Sequence, residues 1–218
     1  MAERFLLHSR WAATAPYRVR IGLCLKALPF DVAAVNLADG EQRSAAYRSL
    51  NAQALVPALE TSHGVLTQSL AILEWLDETH PHPPLLPSDP DGRAIVRTMA
   101  QIVACDIHPL NNLRVMQALG ELGHPQGSAE SVAWGARWIN EGFAALEPMV
   151  ARYGGGFAFG GAPTLADCCL VPQIWSSRRF GVDVSAYPAL SAVAAHAANH
   201  PAFIEAHPER QPDAPPRR

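Results

Sequence analysis

Side chains able to do chemistry gather at a few places along the 218 residues. Gln68-Ser69 precedes the apolar periodicity of Leu70, Leu73 and Leu76 and so opens a helix. Free amides and the positive dipole end of such a helix attract an anion, although a serine there also serves as a plain N-cap. In CDIHPLNN (105–112), His108 and Asn112 are four residues apart and would share a helical face. Asp106 would lie roughly 200° from His108 on an ideal helix, so one pocket would not easily use all three. Pro109 should kink or break that helix, because it lacks an amide donor and crowds the preceding turn. Thr164-x-x-Asp167 has the spacing of a capping box and reads as a folding element. His80-x-His82 lies among prolines, and His196 and His200 would share a helical face; neither pair has a convincing third ligand, so no metal is expected.

Composition narrows the classes. Seventeen Lys plus Arg against twenty Asp plus Glu give a net charge of −3, with no basic block of the kind a nucleic-acid surface needs. No apolar run approaches the ~18 residues of a membrane helix, and the opening MAERFLLHSRW is too polar for a signal peptide. Cys24, Cys105, Cys168 and Cys169 show neither CxxC nor zinc spacing, which reads as free, mostly buried thiols in a reducing cytoplasm.

The elements that must position these groups fall into two patterns. Over residues 1–80, strand-like runs (Phe5–Leu7, Phe30–Val35, a hairpin at Val56–Glu60 and Val65–Thr67) alternate with helical ones (Pro16 to about Leu28, a short helix through Tyr47 and Leu50, Ser69–Asp77). That order predicts a small mixed sheet with helices packed on it. Residues 80–92 hold five prolines in thirteen positions, which predicts a linker over 81–90. From 91 to 210 no strand is expected; Asp91–Leu119, Ser128–Ala151, Thr164–Arg179 and Pro188–His200 read as helices. The tail at 211–218 is Pro-rich and charged, hence expected to be flexible. The fold class is thus α/β followed by all-α.

Local motifs sharpen this. TAPYRVRIGLCLK (14–26), LNAQALVPALE (50–60), TQSLAILEWLDE (67–78), LLPSDPDGRAIVR (85–97), CDIHPLNNLRV (105–115) and APTLADCCLVPQ (162–173) together resemble the zeta class of glutathione transferases over essentially the whole chain. That class includes maleylacetoacetate isomerase and the bacterial glutathione-dependent maleylpyruvate isomerases. The resemblance implies a thioredoxin-like glutathione-binding domain, a helical substrate domain, a cytoplasmic homodimer and glutathione as cofactor. It implies a cis Val56-Pro57 bond, with the Val56 backbone pairing to the cysteinyl part of glutathione. Gln68 and Ser69 would take the γ-glutamyl carboxylate, and Gln42 joins the cofactor-binding set. His108 and Asn112 would face one glutathione while Asp106 faces elsewhere, the partner subunit's glutathione being one option; Arg114 is a further candidate.

The implied reaction is cis–trans isomerisation of a small 2,4-dioxo-alkenoate dicarboxylate. It requires a stabilised glutathione thiolate and cations for the carboxylates and developing enolate. The thiolate belongs at the start of the first helix, where the dipole and nearby donors lower a thiol's pKa. There the family pattern Ser-Ser-Cys is replaced by Ala13-Thr14-Ala15, which leaves Thr14 as the hydroxyl donor; Tyr17 reads as packing. One of Arg178 and Arg179 would face the substrate, and resemblance to the family's Glu-Arg-Phe or Arg-Arg-Phe pattern makes Arg179 the inward candidate. Arg10 would assist at the mouth, but the family arginine before Ser-Ser-Cys is Ala12 here, a loss that weakens the clamp. Two other readings stand beside isomerisation: a glutathione transferase or dehalogenase acting on small halo acids, and a non-catalytic glutathione-binding protein, motivated by Ala13 and Ala15.

Overall fold

A computed structural model of the chain describes residues 4–216. The chain forms two compact units: residues up to Leu85 together with those from Asn199 onward, and Leu86–Ala198.

The first unit contains β1 (Phe5–Ser9), α1 (Thr14–Leu25), β2 (Phe30–Ala34), α2 (Ala45–Leu50), β3 (Ala58–Thr61), β4 (Gly64–Thr67) and α3 (Ser69–Thr79). The strands lie in the order β2-β1-β3-β4. β1 runs parallel to β2, with Leu7 opposite Val32, and antiparallel to β3, with Leu7 opposite Leu59. β3 and β4 form the expected hairpin, with Leu59 opposite Leu66. Alternation sets the faces: Phe5, Leu7 and Ser9 of β1 are buried, while Leu6 and His8 are only half-buried. Phe5, Leu7 and Leu59 pack with Val19 and Leu23 of α1 and Ile72 and Leu76 of α3. Each such side chain contributes roughly 1.5–3 kcal/mol by leaving water. Gly22 lets α1 approach α3, since a Cβ there would lie 2.2 Å from Leu73 Cδ2. The third strand starts at Ala58 rather than Val56, following Pro57, which has no ladder amide.

The C-terminal residues depart from expectation. Residues 199–210 belong with the sheet unit, where α9 (Pro201–Ala206) packs on α1. Their anchor is Arg20, buried in α1. Its Nε donates to the Ala206 carbonyl (3.0 Å), Nη1 to Ser9 Oγ (3.0 Å) and Nη2 to the Trp11 carbonyl (3.1 Å). Burial pushes this guanidinium down to about 10, and the ordering of residues near 206 supplies one of its three acceptors. The tail expected to be flexible is likewise tied down to Ala214: Asp213 accepts from Trp11 N–H (2.9 Å), and Ala214 N–H donates to the Gln211 carbonyl. Residues 217–218 lie outside the described residues. At the expected linker, Lys26 Nζ donates to Asp77 (2.9 Å) and to the His80 and Pro83 carbonyls (2.6 and 2.9 Å), and Leu85 N–H donates to Asp77. Residues 81–85 are therefore bound into the first unit.

The second unit contains α4 (Pro90–Gln101), α5 (Leu113–Glu121), α6 (Ala129–Tyr153), α7 (Leu165–Ser177) and α8 (Pro188–Ala197). α4 packs on α7, and α6 on α8. Side-chain caps fix the starts: Asp89 accepts from Gly92 N–H (2.6 Å) and Ser128 from Ser131 N–H (3.2 Å). The helix over 91–119 is broken, as Pro109 leads one to expect. Past Gln101 the backbone runs through a π-helical stretch (Ile102–Ile107), a 3-10 turn (His108–Asn111) and an extended Asn112 before α5. Pro109 is the physical reason, because it cannot supply the amide of a continuing α-helix. α7 ends at Ser177, so Arg178 and Arg179 stand in a 3-10 turn. α8 ends at Ala197, and His200 instead caps α9 by accepting from Ala202 N–H (3.3 Å), so His196 and His200 do not share a helix. Cys168 and Cys169 are buried and not disulfide-bonded, whereas Cys105 is exposed. Among the described residues, no helix is long and apolar enough to cross a membrane.

Candidate active site

One end of the four-stranded sheet collects three backbone features. His8 pairs with Ala58, and Ala58 with Thr67. Continuing that register sets Val56-Pro57 beside the residues that leave β1 and sets Gln68 beside Pro57. The turn into α1, Val56-Pro57 and the start of α3 therefore share one end of the sheet.

The turn spans Arg10–Ala13, closed by Ala13 N–H donating to the Arg10 carbonyl (3.0 Å). Ala13 then stands at the N-cap with φ −84° and ψ 128°, and it has no side-chain oxygen to cap the helix. The first-turn amides of Thr14 and Ala15 thus lack both a side-chain cap and intrahelical acceptors, and Pro16 has no amide. Thr14 is 5% exposed, and its Oγ1 has no hydrogen-bond partner among the described residues. A buried, unmet hydroxyl beside bare helix amides is a set of donors suited to an anion. Tyr17, by contrast, is buried against His207 with Arg20 over its ring (5.1 Å), and burial pushes its phenol up to about 12. It is packing, as expected.

At the start of α3, Gln68 adopts φ 68° and ψ 114°, a left-handed conformation costly for a residue with a Cβ. Such strain concentrates at ligand clamps. Its side chain donates to Gln53 Oε1 (2.7 Å). Ser69 is buried, and Arg18, also buried, donates from Nη1 to Ser69 Oγ (3.2 Å). A buried guanidinium below the positive end of an eleven-residue helix favours a carboxylate. Arg18 escaped the sequence reading, although two arginines in the apolar face of α1 were the available signal, since buried charges need partners. Gln42 is buried in a 3-10 turn, and its Oε1 has no partner among the described residues. The Val56-Pro57 peptide is cis, and Val56 lies just outside the ladder that begins at Ala58. Arg10 is paired with Asp213.

The other candidates belong to the second unit. Asp106 is exposed in the π-helical stretch, and His108 begins the 3-10 turn. Asn112 is the N-cap of α5, its Oδ1 accepting from Arg114 N–H (3.2 Å). The shared α-helical face of His108 and Asn112, and the angle to Asp106, are thus replaced by three different backbone states. Asn111, not Asn112, is the buried one, with an Nδ2 that has no partner among the described residues. Arg114 is exposed on α5. Arg178 and Arg179 are both exposed, yet only Arg179 lies over the Trp175 ring (4.9 Å). Partial desolvation in that position lowers the Arg179 pKa. Thr164 and Asp167 form the expected folding element: Asp167 is fully buried and accepts from Thr164 N–H (2.8 Å), Thr164 Oγ1 (2.9 Å) and Ala158 N–H (2.7 Å).

Comparison with known proteins agrees with this geometry. Residues 15–79 match the glutathione S-transferase N-terminal domain, and 132–203 the glutathione S-transferase C-terminal domain. The maleylpyruvate isomerase of Ralstonia sp is 46% identical over 209 residues, covering 95% of this chain and 98% of that protein. The holo structure of a maleylpyruvate isomerase, described as a bacterial zeta-class glutathione S-transferase, superposes with a TM-score of 0.93 at 46% identity, over 96% of this chain and 100% of the other. A maleylacetoacetate isomerase from Anaeromyxobacter dehalogenans, solved with glutathione in its active site, has a TM-score of 0.88 at 44% identity, over 98% and 99% of the two chains. This chain belongs to the zeta class of the glutathione S-transferases, the family of the maleylpyruvate and maleylacetoacetate isomerases.

Proposed function

We propose that the protein is a glutathione-dependent cis–trans isomerase of maleylpyruvate or maleylacetoacetate in the breakdown of aromatic compounds. The observation that carries this reading is the buried Thr14 hydroxyl, without a partner among the described residues, at an uncapped helix start on the end of the sheet that also holds Val56-Pro57 and Ser69. The residues fit a bound glutathione. Thr14 Oγ1 and the Thr14 and Ala15 amides face its sulfur, the Val56 backbone its cysteinyl unit, and Gln68, Ser69 and Arg18 its γ-glutamyl carboxylate. The proposed glutathione-binding set further includes Gln42, which is buried, and His108, Asn112 and Arg114. Asp106 reaches the glutathione of a second subunit in a cytoplasmic homodimer.

When bound, glutathione supplies a sulfur that adds to the substrate's double bond, leaves a rotatable single bond and departs again. The protein keeps that sulfur anionic. The Thr14 hydroxyl donates a hydrogen bond to it, and the α1 dipole adds a positive potential that lowers a thiol pKa. Arg179, whose guanidinium carbon lies 4.9 Å from the Trp175 ring centroid, is the cation for a substrate carboxylate and for the negative charge that develops during addition. Arg10 holds the other carboxylate at the mouth.

Maleylpyruvate and maleylacetoacetate, each assayed with and without glutathione, test this reading. Turnover that requires glutathione supports it. Glutathione binding with no turnover of either substrate or of chloroacids favours the binding-protein reading, for which Ala13 and Ala15 are the specific observation.

A further inference from the structure

We infer that Asp213 is a positioning residue for Arg10, so that a side chain of the C-terminal segment sets the cation that receives one substrate carboxylate. The inference rests on the dicarboxylate reading above. The family arginine before the Ser-Ser-Cys pattern is Ala12 here, and Arg10 is the cation that this chain offers two residues earlier. The turn closed between Arg10 and Ala13 brings these two Cα atoms within about 7 Å of each other, next to Thr14. A guanidinium at position 10 therefore starts close to the proposed thiolate donor.

Asp213 fixes where it goes. One carboxylate oxygen, Oδ2, accepts both from Arg10 Nη1 (3.3 Å) and from Trp11 N–H (2.9 Å). The Arg10 side chain is thereby referenced to the backbone of its own turn. The Asp213 side chain is 11% exposed and that of Arg10 31%, so the carboxylate is enclosed while the cation keeps an open side. A guanidinium has five N–H donors, and Asp213 takes one, which leaves a fork for a ligand carboxylate. Asp213 Oδ1 is buried and has no partner among the described residues, so the pairing runs through Oδ2 alone. Upstream, the segment has a separate anchor, because Arg20 binds the Ala206 carbonyl.

Asp213→Asn keeps an oxygen for Trp11 N–H and removes the charge that orients Arg10. KM for the isomerase substrate is expected to rise about five- to tenfold with kcat within twofold, the pattern of lost uniform binding. Glutathione affinity by calorimetry should stay within twofold. Arg10→Ala should raise KM at least as much, and the double variant should be no worse than Arg10→Ala alone, because the two residues act as one. Affinity for malonate, a small dicarboxylate, measured with glutathione present, reads the same coupling without turnover. If the wild type binds malonate through Arg10 and Asp213 but isomerises nothing, the isomerase reading falls and the positioning role stands. Unchanged KM and malonate affinity in Asp213→Asn, additive losses in the double variant, or wild-type protein that binds no malonate would each overturn it.

Discussion

Thr14→Val removes one hydroxyl at nearly constant shape, and the structure predicts opposite effects on folding and on chemistry. In the ligand-free protein, the Thr14 Oγ1 is buried without a hydrogen-bond partner among the described residues. Keeping such a group out of water costs about 1–3 kcal/mol. The valine variant should therefore unfold at a temperature about 2–4 °C higher, the shift that ~1 kcal/mol produces in a chain of this size. With glutathione bound, the same change deletes a hydrogen bond to a charged sulfur, worth about 1.5–3 kcal/mol. At 1.36 kcal/mol per pKa unit, the bound thiol should titrate about 1–2 units higher. The thiolate's ultraviolet absorbance, followed against pH for saturated wild type and variant, reads that displacement directly. Superimposable titrations would refute the role given to Thr14. A variant less stable than wild type would refute the premise that its hydroxyl lacks a structural partner.

Two further predictions follow from buried charges. Burial pushes the Asp167 carboxyl up to about 6, from an ordinary value near 3.8, against the three hydrogen bonds that it accepts. The folded state then binds a proton that the unfolded chain has already lost between about pH 4 and 6, so stability is greatest below pH 4 on this account and falls as pH rises through 6, by about 2–3 kcal/mol. Asp167→Asn should flatten that slope in denaturant titrations at pH 5 and 7.5; an equal slope in both proteins contradicts the assignment. Arg18→Met removes the cation behind Ser69, and calorimetry should show glutathione affinity about tenfold weaker, or ~1.4 kcal/mol. Undiminished affinity would mean that Arg18 serves folding alone.

Much of this architecture was legible because its signals are local. Alternation in Phe5–Ser9, the hairpin around residues 61–64 and the Leu70, Leu73, Leu76 periodicity need only neighbouring residues, and they gave a mixed sheet followed by helices. The cis Val56-Pro57 bond was expected from family resemblance, since composition alone does not separate it from an ordinary edge proline. What escaped depended on distant partners. Arg20 meets Ala206 across 186 positions, so neither the ordered tail nor the allegiance of α9 could be read from the Pro-rich local sequence. Pro109 announced a break, but not that π, 3-10 and extended backbone would follow one another there, which undid the angles assigned to Asp106, His108 and Asn112. The left-handed backbone at Gln68 had no local signal, because glutamine gives no preference for that conformation.

The central claim is that an uncapped helix start carrying a single hydroxyl still sustains glutathione-dependent isomerisation. The most direct measurement is the steady-state rate of maleylpyruvate and maleylacetoacetate conversion by the purified protein, with and without glutathione. The account predicts conversion of at least one substrate only when glutathione is present, with glutathione recovered unconsumed. Saturable glutathione binding with no conversion of either substrate would contradict it.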